Sequence, residues 1–340
     1  MVRIFVNGFG TIGKRVASAI MKQEDMELVG VAKKTPDHKA YVANRQGIPL
    51  YVLDNEHIEL FEEHGIKVAG VLRDVVDNID VFIDTSPKGI GERNKLFYEA
   101  HKKIAIFQGG EKPEVAEVSF TAQANYRDAI GKRYIRVVSC NTTAIARILV
   151  ELGKIAPIRR VRVVLVRRAA DPWESKKGPI NAIVPSLKIP SHHADDVKTV
   201  LGEIDIMTTA VVVPTTIMHM HILNVEFADN VDKSLLIDKL IEAPRIIVIP
   251  SKKLKLDSTA SIIELARDMG RERNDIYEVM VFDESIKLHG RELWMMYAVH
   301  QEAIVVPENI DAVRAAYKLC DDPETSIKKT DRSLGILSRL

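Results

Sequence analysis

Cys140 is one of only two cysteines in this chain of 340 residues, and it stands in the run Tyr134-Ile135-Arg136-Val137-Val138-Ser139-Cys140-Asn141-Thr142-Thr143. Ile135 to Val138 predicts a strand, and Ala144, Ile145, Ile148, Leu149 and Leu152 then recur at helical spacing. Cys140 is therefore expected where a helix begins. Unpaired amides and the positive end of the helix dipole favour an anion there, so a lowered thiol pKa and a nucleophilic thiolate are expected. The second chemistry-bearing run is Met218-His219-Met220-His221, inside Thr216 to Phe227. Strand alternation puts His219 and His221 on one face with Leu223, Val225 and Phe227, where one of them could act as the base that a thiolate attacking an aldehyde requires. The plainer readings stay open: a buried apolar cysteine, satisfied core histidines, or a His-x-His metal pair. No cysteine or carboxylate cluster with ligand spacing lies nearby, so no metal is expected.

Two further polar groups invite the same question. Arg167-Arg168 ends an apolar strand, and Ser191-His192-His193 follows Pro190 at an expected helix start. Guanidinium forks and helix N-terminal donors suit a phosphate, and both groups are equally compatible with solvated loops. At the other end of the chain, Met1 to Asn7 predicts a buried strand that runs into Gly8-Phe9-Gly10-Thr11-Ile12-Gly13 and then a helix from Lys14. This order is that of a dinucleotide-binding turn, in which the three glycines serve the turn, the approach of the pyrophosphate, and helix–strand packing. A second strand, Glu27 to Ala32, ends in Lys33, Lys34 and Thr35, where a carboxylate would ordinarily meet the ribose of NAD. Two cations in its place predict tolerance of, or preference for, NADP. Later strands end in Thr85-Ser86-Pro87 and Gln108-Gly109-Gly110, so Thr85, Ser86 and Gly110 are candidate cofactor contacts as well as ordinary turn formers.

The elements that must position these groups differ between the two halves. Up to Cys140, strand-like and helix-like segments alternate. Beyond it, Val161 to Val166, Ile206 to Val213, Thr216 to Phe227, Arg245 to Ile249, Tyr277 to Phe282 and Leu293 to Val299 predict longer strands with fewer helices. The fold class expected is α/β: a Rossmann-type dinucleotide-binding domain plus an α+β catalytic domain with a largely antiparallel sheet. A last helix is expected from Ile310 to Leu319, after Pro307-Glu308-Asn309. Forty-eight basic and forty-seven acidic residues nearly cancel, which predicts no nucleic-acid surface. No apolar run approaches the roughly 20 residues of a membrane span, so no membrane partner is expected. Two cysteines argue against a disulfide framework and for a reducing, cytoplasmic setting.

Gly8-Phe9-Gly10-Thr11-Ile12-Gly13, Phe107-Gln108-Gly109-Gly110-Glu111-Lys112, Ser139-Cys140-Asn141-Thr142-Thr143, Arg167-Arg168-Ala169-Ala170-Asp171 and His300-Gln301-Glu302 together resemble the archaeal-type phosphorylating glyceraldehyde-3-phosphate dehydrogenases, over essentially the whole chain. The bacterial and eukaryotic branch carries Ser-Cys-Thr-Thr-Asn at its nucleophile and a catalytic histidine a few dozen residues later. Here Cys140 is followed by Asn141-Thr142-Thr143, and no histidine occurs before His192. The resemblance implies Cys140 as nucleophile and His219 as base, although the residues alone leave His221 in contention. It implies Ser139, Asn141, His192 and His193 as substrate contacts and Thr11, Ile12, Gly110, Arg168 and Gln301 as cofactor contacts, which leaves Arg167 as the phosphate clamp; Gly8, Gly10, Gly13, Lys33, Lys34 and Thr85 remain the cofactor contacts read from the residues themselves. Glyceraldehyde 3-phosphate and inorganic phosphate would be the substrates, NADP or NAD the cofactor, and a homotetramer the assembly. A dinucleotide domain of 1–139 completed by 303–340, with a catalytic domain of 140–302, is the implied division. The alternatives are a semialdehyde dehydrogenase or acyl-phosphate reductase, a hydride-only dehydrogenase, and a non-catalytic NADP-binding module; no role is implied for Cys320.

Overall fold

Strand β1 (Val2–Asn7) is apolar and almost wholly buried, which is what a parallel strand covered on both faces requires. It is the centre of a sheet with β2 (Met26–Ala32), β3 (Leu50–Val52), β4 (Gly70–Val71), β5 (Val81–Asp84), β6 (Ile104–Gln108), β7 (Val118–Phe120) and β8 (Tyr134–Val137). The order is β4-β3-β2-β1-β5-β6-β8-β7, and every pairing is parallel. The chain builds outward from β1 through β4, then returns to the other side of β1 with β5. That reversal opens a crevice at the carboxyl ends of β1 and β5, the place where such sheets bind ligands. Phe5, Phe82, Tyr98 and Phe107 fill the core beneath it, with Phe82 stacked on Tyr98 at 4.6 Å between ring centroids.

The computed structural model describes all 340 residues, and they divide into two units. The first is Met1–Val138 with Val306–Leu334, and the second is Ser139–Val305 with Gly335–Leu340. The tail is thus shared out: its last six residues go with the second unit, where the Leu337 N–H donates to Glu278 at 2.7 Å. The tail helix spans Val306–Ala316, four residues earlier than its apolar spacing suggests. Pro307 sits in the first turn, where a missing N–H costs no hydrogen bond. Every residue of this helix is buried, and a further helix, Pro323–Leu334, packs against it. No helix is long and apolar enough to cross a membrane.

The second unit is built on β9 (Ile158–Arg168), β10 (Val184–Pro185), β11 (Ile206–Val213), β12 (His219–Phe227), β13 (Ile246–Ile249), β14 (Val279–Phe282), β15 (Lys287–His289) and β16 (Glu292–Val299). Their order is β10-β11-β9-β12-β16-β14-β13, with β15 on β16. The sheet is mixed: β11 with β9 and β13 with β14 run parallel, and the other pairs are antiparallel. Register sets Leu165 beside His221 and Ala210, and His221 beside Tyr297. With a period of two, Thr208, Arg167, His219, His221 and Tyr297 share one face. Helices Cys140–Gly153 and His192–Leu201 pack together on that face.

Candidate active site

In the first unit, Gly8 adopts φ +105° at the end of β1, a conformation that favours glycine. A Cβ on Gly13 would stand 1.9 Å from the Gly8 carbonyl oxygen, so the third glycine is required for the helix Gly13–Ile20 to start this close to the strand. A Cβ on Gly10 would meet nothing within 4 Å, which leaves the middle of the turn open as a cradle for a pyrophosphate. The Thr85 hydroxyl is committed elsewhere: it donates to the Gly8 carbonyl at 2.6 Å and so fastens the turn, which is a different task from the cofactor contact expected of it. Lys33 is likewise engaged, 2.9 Å from Asp37, whereas Lys34 is exposed and has no acidic partner. Of the two expected cations, Lys34 is the one left to meet a 2′-phosphate. Gly110 lies in the turn after β6, beside Gln108, whose amide is paired with Asn309 in both directions.

In the second unit, Cys140 is the first residue of helix Cys140–Gly153, as its sequence position predicts. Ser139 caps this helix, its Oγ accepting the Thr142 N–H at 3.3 Å, and its hydroxyl meets the Thr142 hydroxyl, which donates to Asp196 at 2.5 Å. Ser139 therefore ties the cysteine helix to the helix carrying His192. The pKa expectation for the thiol is reversed. Burial pushes Cys140 up to about 11, against the pull of the Arg167 and Arg168 charges and of the Asn141 backbone N–H on the sulfur, with Glu302 adding to the rise. The helix start does favour the thiolate, but desolvation outweighs it in the ligand-free protein.

His193, His219 and His221 are buried, and burial lowers the pKa of each. The Arg168 backbone N–H donates to His219 Nδ1 at 2.9 Å, so the ring proton resides on Nε2, and that N–H is buried with no partner. Burial first, then the neighbouring His221 and the arginine charges, hold its pKa well below the usual value. His219 is thus prepared as a donor at Nε2 and not as the resting base expected of it; protonation would set an N–H against the Arg168 N–H. His221 donates from Nε2 to Asn141 Oδ1 at 2.8 Å, and Asn141 Nδ2 donates to His193 Nε2 at 3.1 Å. His193 Nδ1 meets Ser191 Oγ at 3.1 Å, so both of its ring nitrogens are occupied, as are both ends of the Asn141 amide. These two side chains tie the cysteine helix to the helix that carries His193 and to β12. His192 is exposed at the start of helix His192–Leu201, with its ring on that of His193 at 4.0 Å.

The paired arginines part company. The Arg168 side chain, only 1% exposed, is held by Asp171 at 2.6 Å and Glu302 at 3.2 Å. Arg167 pairs with no carboxylate, its Nε is buried without a partner, and its charge bears on Cys140, His193, His219 and His221. Gln301 lies half-buried in the turn after β16. Glu302, which the sequence offers only as part of a motif, is buried between Arg168 and His300 Nε2, each 3.2 Å away. A carboxylate three residues past an apolar strand was the available signal for it. No group of three or more His, Cys, Asp or Glu is arranged to hold a metal ion.

A parallel sheet with a glycine turn at its reversal point, joined to a mixed sheet carrying a cysteine, histidines and an unpaired arginine on one face, defines a two-domain nicotinamide-nucleotide oxidoreductase. Residues 139–286 match the family model for the glyceraldehyde 3-phosphate dehydrogenase C-terminal domain, and residues 2–124 match that for the dihydrodipicolinate reductase N-terminus. Glyceraldehyde-3-phosphate dehydrogenases of Saccharolobus islandicus (strain M.16.27), Metallosphaera sedula and Saccharolobus solfataricus are 53%, 54% and 52% identical to it, each over 99% of this chain and 98% of their own. The chain belongs to the glyceraldehyde-3-phosphate dehydrogenase family.

Proposed function

We propose that this enzyme oxidises D-glyceraldehyde 3-phosphate in the phosphorylating mode, with Cys140 as nucleophile and NADP⁺ or NAD⁺ as cofactor. Cys140 adds to the aldehyde carbon, and its thiol proton ends on the carbonyl oxygen, giving a thiohemiacetal. His219 Nε2–H and the Asn141 backbone N–H are the donors for that oxygen and for the sulfur as charge develops. The bound cofactor supplies the hydride acceptor; the substrate carbon gives up a hydride, the hydroxyl passes its proton to solvent water, and a thioester remains on Cys140. Inorganic phosphate then displaces the sulfur, which leaves as the thiolate beside Arg167 and Arg168, and the acyl phosphate departs. Arg167, with His192 at a helix start, would hold the phosphate group of the substrate.

The observation that carries this reading is the setting of Cys140: a helix start, an amide on its sulfur, and an unpaired arginine beside it. Initial rates of NADP⁺ and NAD⁺ reduction with glyceraldehyde 3-phosphate, with and without inorganic phosphate, test it. Turnover that requires phosphate is the expected result, and reduction indifferent to phosphate removes the phosphorylating mode. A homotetramer is part of the proposal, supported by Ile180 and Leu187, which are 92% and 89% exposed on the segment flanking edge strand β10. Light scattering should then give about 150 kDa from chains of 38.1 kDa. A cytoplasmic setting follows from the same mechanism, since Cys140 must remain a free thiol.

A further inference from the structure

One polar chain in the second unit has a role that the reaction described above leaves unused. His221 Nε2–H donates to Asn141 Oδ1 at 2.8 Å, Asn141 Nδ2–H to His193 Nε2 at 3.1 Å, and His193 Nδ1–H to Ser191 Oγ at 3.1 Å. Ser191 Oγ–H then donates to Thr208 Oγ1 at 2.7 Å, and Thr208 closes the chain on the Ser191 carbonyl at 3.1 Å. All five residues are buried. Each link runs in the same sense, so the tautomer of one ring dictates that of the next, and the chain starts at His221 on β12. The plane of the His221 ring is set by Tyr297, edge-on at 5.0 Å. Asn141 directly follows Cys140, and His193 carries the ring on which His192 rests.

We propose that His221 is a positioning residue: through Asn141 it fixes the first turn of the cysteine helix, and through His193 it fixes His192, so that one buried donor aligns both the nucleophile and the histidine that faces the substrate. The identity of that substrate rests on the proposed function; the alignment does not. His221 touches no reacting atom in this scheme. Its Nε2–H is what counts, and a glutamine can supply an amide donor at nearly the same reach, whereas leucine fills the space without one.

The test compares full-length wild type with His221→Leu, His221→Gln and Asn141→Ala, each first checked for a cooperative melt. Two readouts are taken: kcat and KM with glyceraldehyde 3-phosphate, and the rate of Cys140 alkylation by iodoacetamide without substrate. His221→Leu should lower kcat roughly 10- to 100-fold and change the alkylation rate at least threefold, because the first helical turn loses its tether. Asn141→Ala should reproduce both effects, and stands in for His221→Leu if that variant does not fold. His221→Gln should return both readouts to within about threefold of wild type. A folded His221→Gln as impaired as His221→Leu overturns the proposal, as does a His221→Leu or Asn141→Ala variant with wild-type values. A wild-type protein that does not oxidise glyceraldehyde 3-phosphate would overturn the proposed function alone, since the alkylation rates still decide the role of His221.

Discussion

At the scale of single residues, Cys140, Asn141, Arg167, His193, His219 and His221 share the second unit, and burial raises the Cys140 pKa where the helix start suggests a lowered one. Alkylation of Cys140 in the ligand-free enzyme should accelerate with pH through 9 and level off only near 11, since burial has raised its pKa to about 11. A plateau already reached at pH 7 would restore the low-pKa thiolate that the helix start suggests. For His219, the donor role predicts that His219→Gln, which keeps an N–H, loses roughly tenfold in hydride transfer while His219→Leu loses roughly 10² to 10⁴. Equal losses would return it to the role of base. Lys34→Ala should weaken NADP⁺ roughly fivefold and leave NAD⁺ unchanged, while Asp37→Asn, by freeing Lys33, should strengthen NADP⁺ binding; Michaelis constants for both cofactors check the pair. Residue types and spacing located Cys140, His219, Arg167 and the glycine turn because these lie at ends of strands and starts of helices, which local pattern reveals. The partners of Asn141, Lys33 and Arg168 are set by side-chain packing that spacing does not encode; those of Asn141 also lie tens of residues away, at His193 and His221.

At the scale of elements, the tail helix Val306–Ala316 is the plainest case of a segment held by polar contacts inside its own unit. Its Arg314, fully buried, donates to Asp25 at 2.9 Å, to Gln23 at 2.7 Å and to Thr330 at 2.5 Å, and Asp311 accepts from Ser326 and Thr330. Arg314→Ala would strand these acceptors in a dry interior and should cost about 3–5 kcal/mol, read as a fall in the denaturant midpoint. The apolar stripe from Ile310 onward made this helix legible. Its first turn was not, because Pro307 looks like a break until its place at a helix start is seen. The strand Ile206–Val213 is legible to the residue, whereas β3 and β10, of three and two residues, are too short to leave a pattern.

For the whole molecule, the change in sheet character at Cys140 divides the chain much as the contacts do, apart from the six residues at the C-terminus. The histidines of the second unit then govern how the protein meets acid. His193 and His221 are held to about 3 by burial, far below an unfolded histidine. A base with a depressed folded pKa contributes its full stability above about pH 6.5 and loses it as the pH falls toward 3. Asp25, lowered to about 2 by its bonds to Arg314 and Lys329 against the cost of burial, sheds stability only below about pH 4, in the first unit. Melting temperature should therefore start to decline near pH 6.5, and replacing His193, His219 and His221 together by glutamine should move the onset of the decline down toward pH 4.

A nucleophile kept as a thiol until its substrate arrives is also a poor target for oxidants. Peroxide consumes thiolates, and the ladder from sulfenic to sulfonic acid begins with that ion. On the proposed mechanism, the burial that raises the Cys140 pKa would also slow its oxidation at rest, and the thiolate that leaves the acyl group would be the form open to attack. Peroxide should thus inactivate the working enzyme faster than the resting one, the reverse of the usual protection of an active site by its substrate.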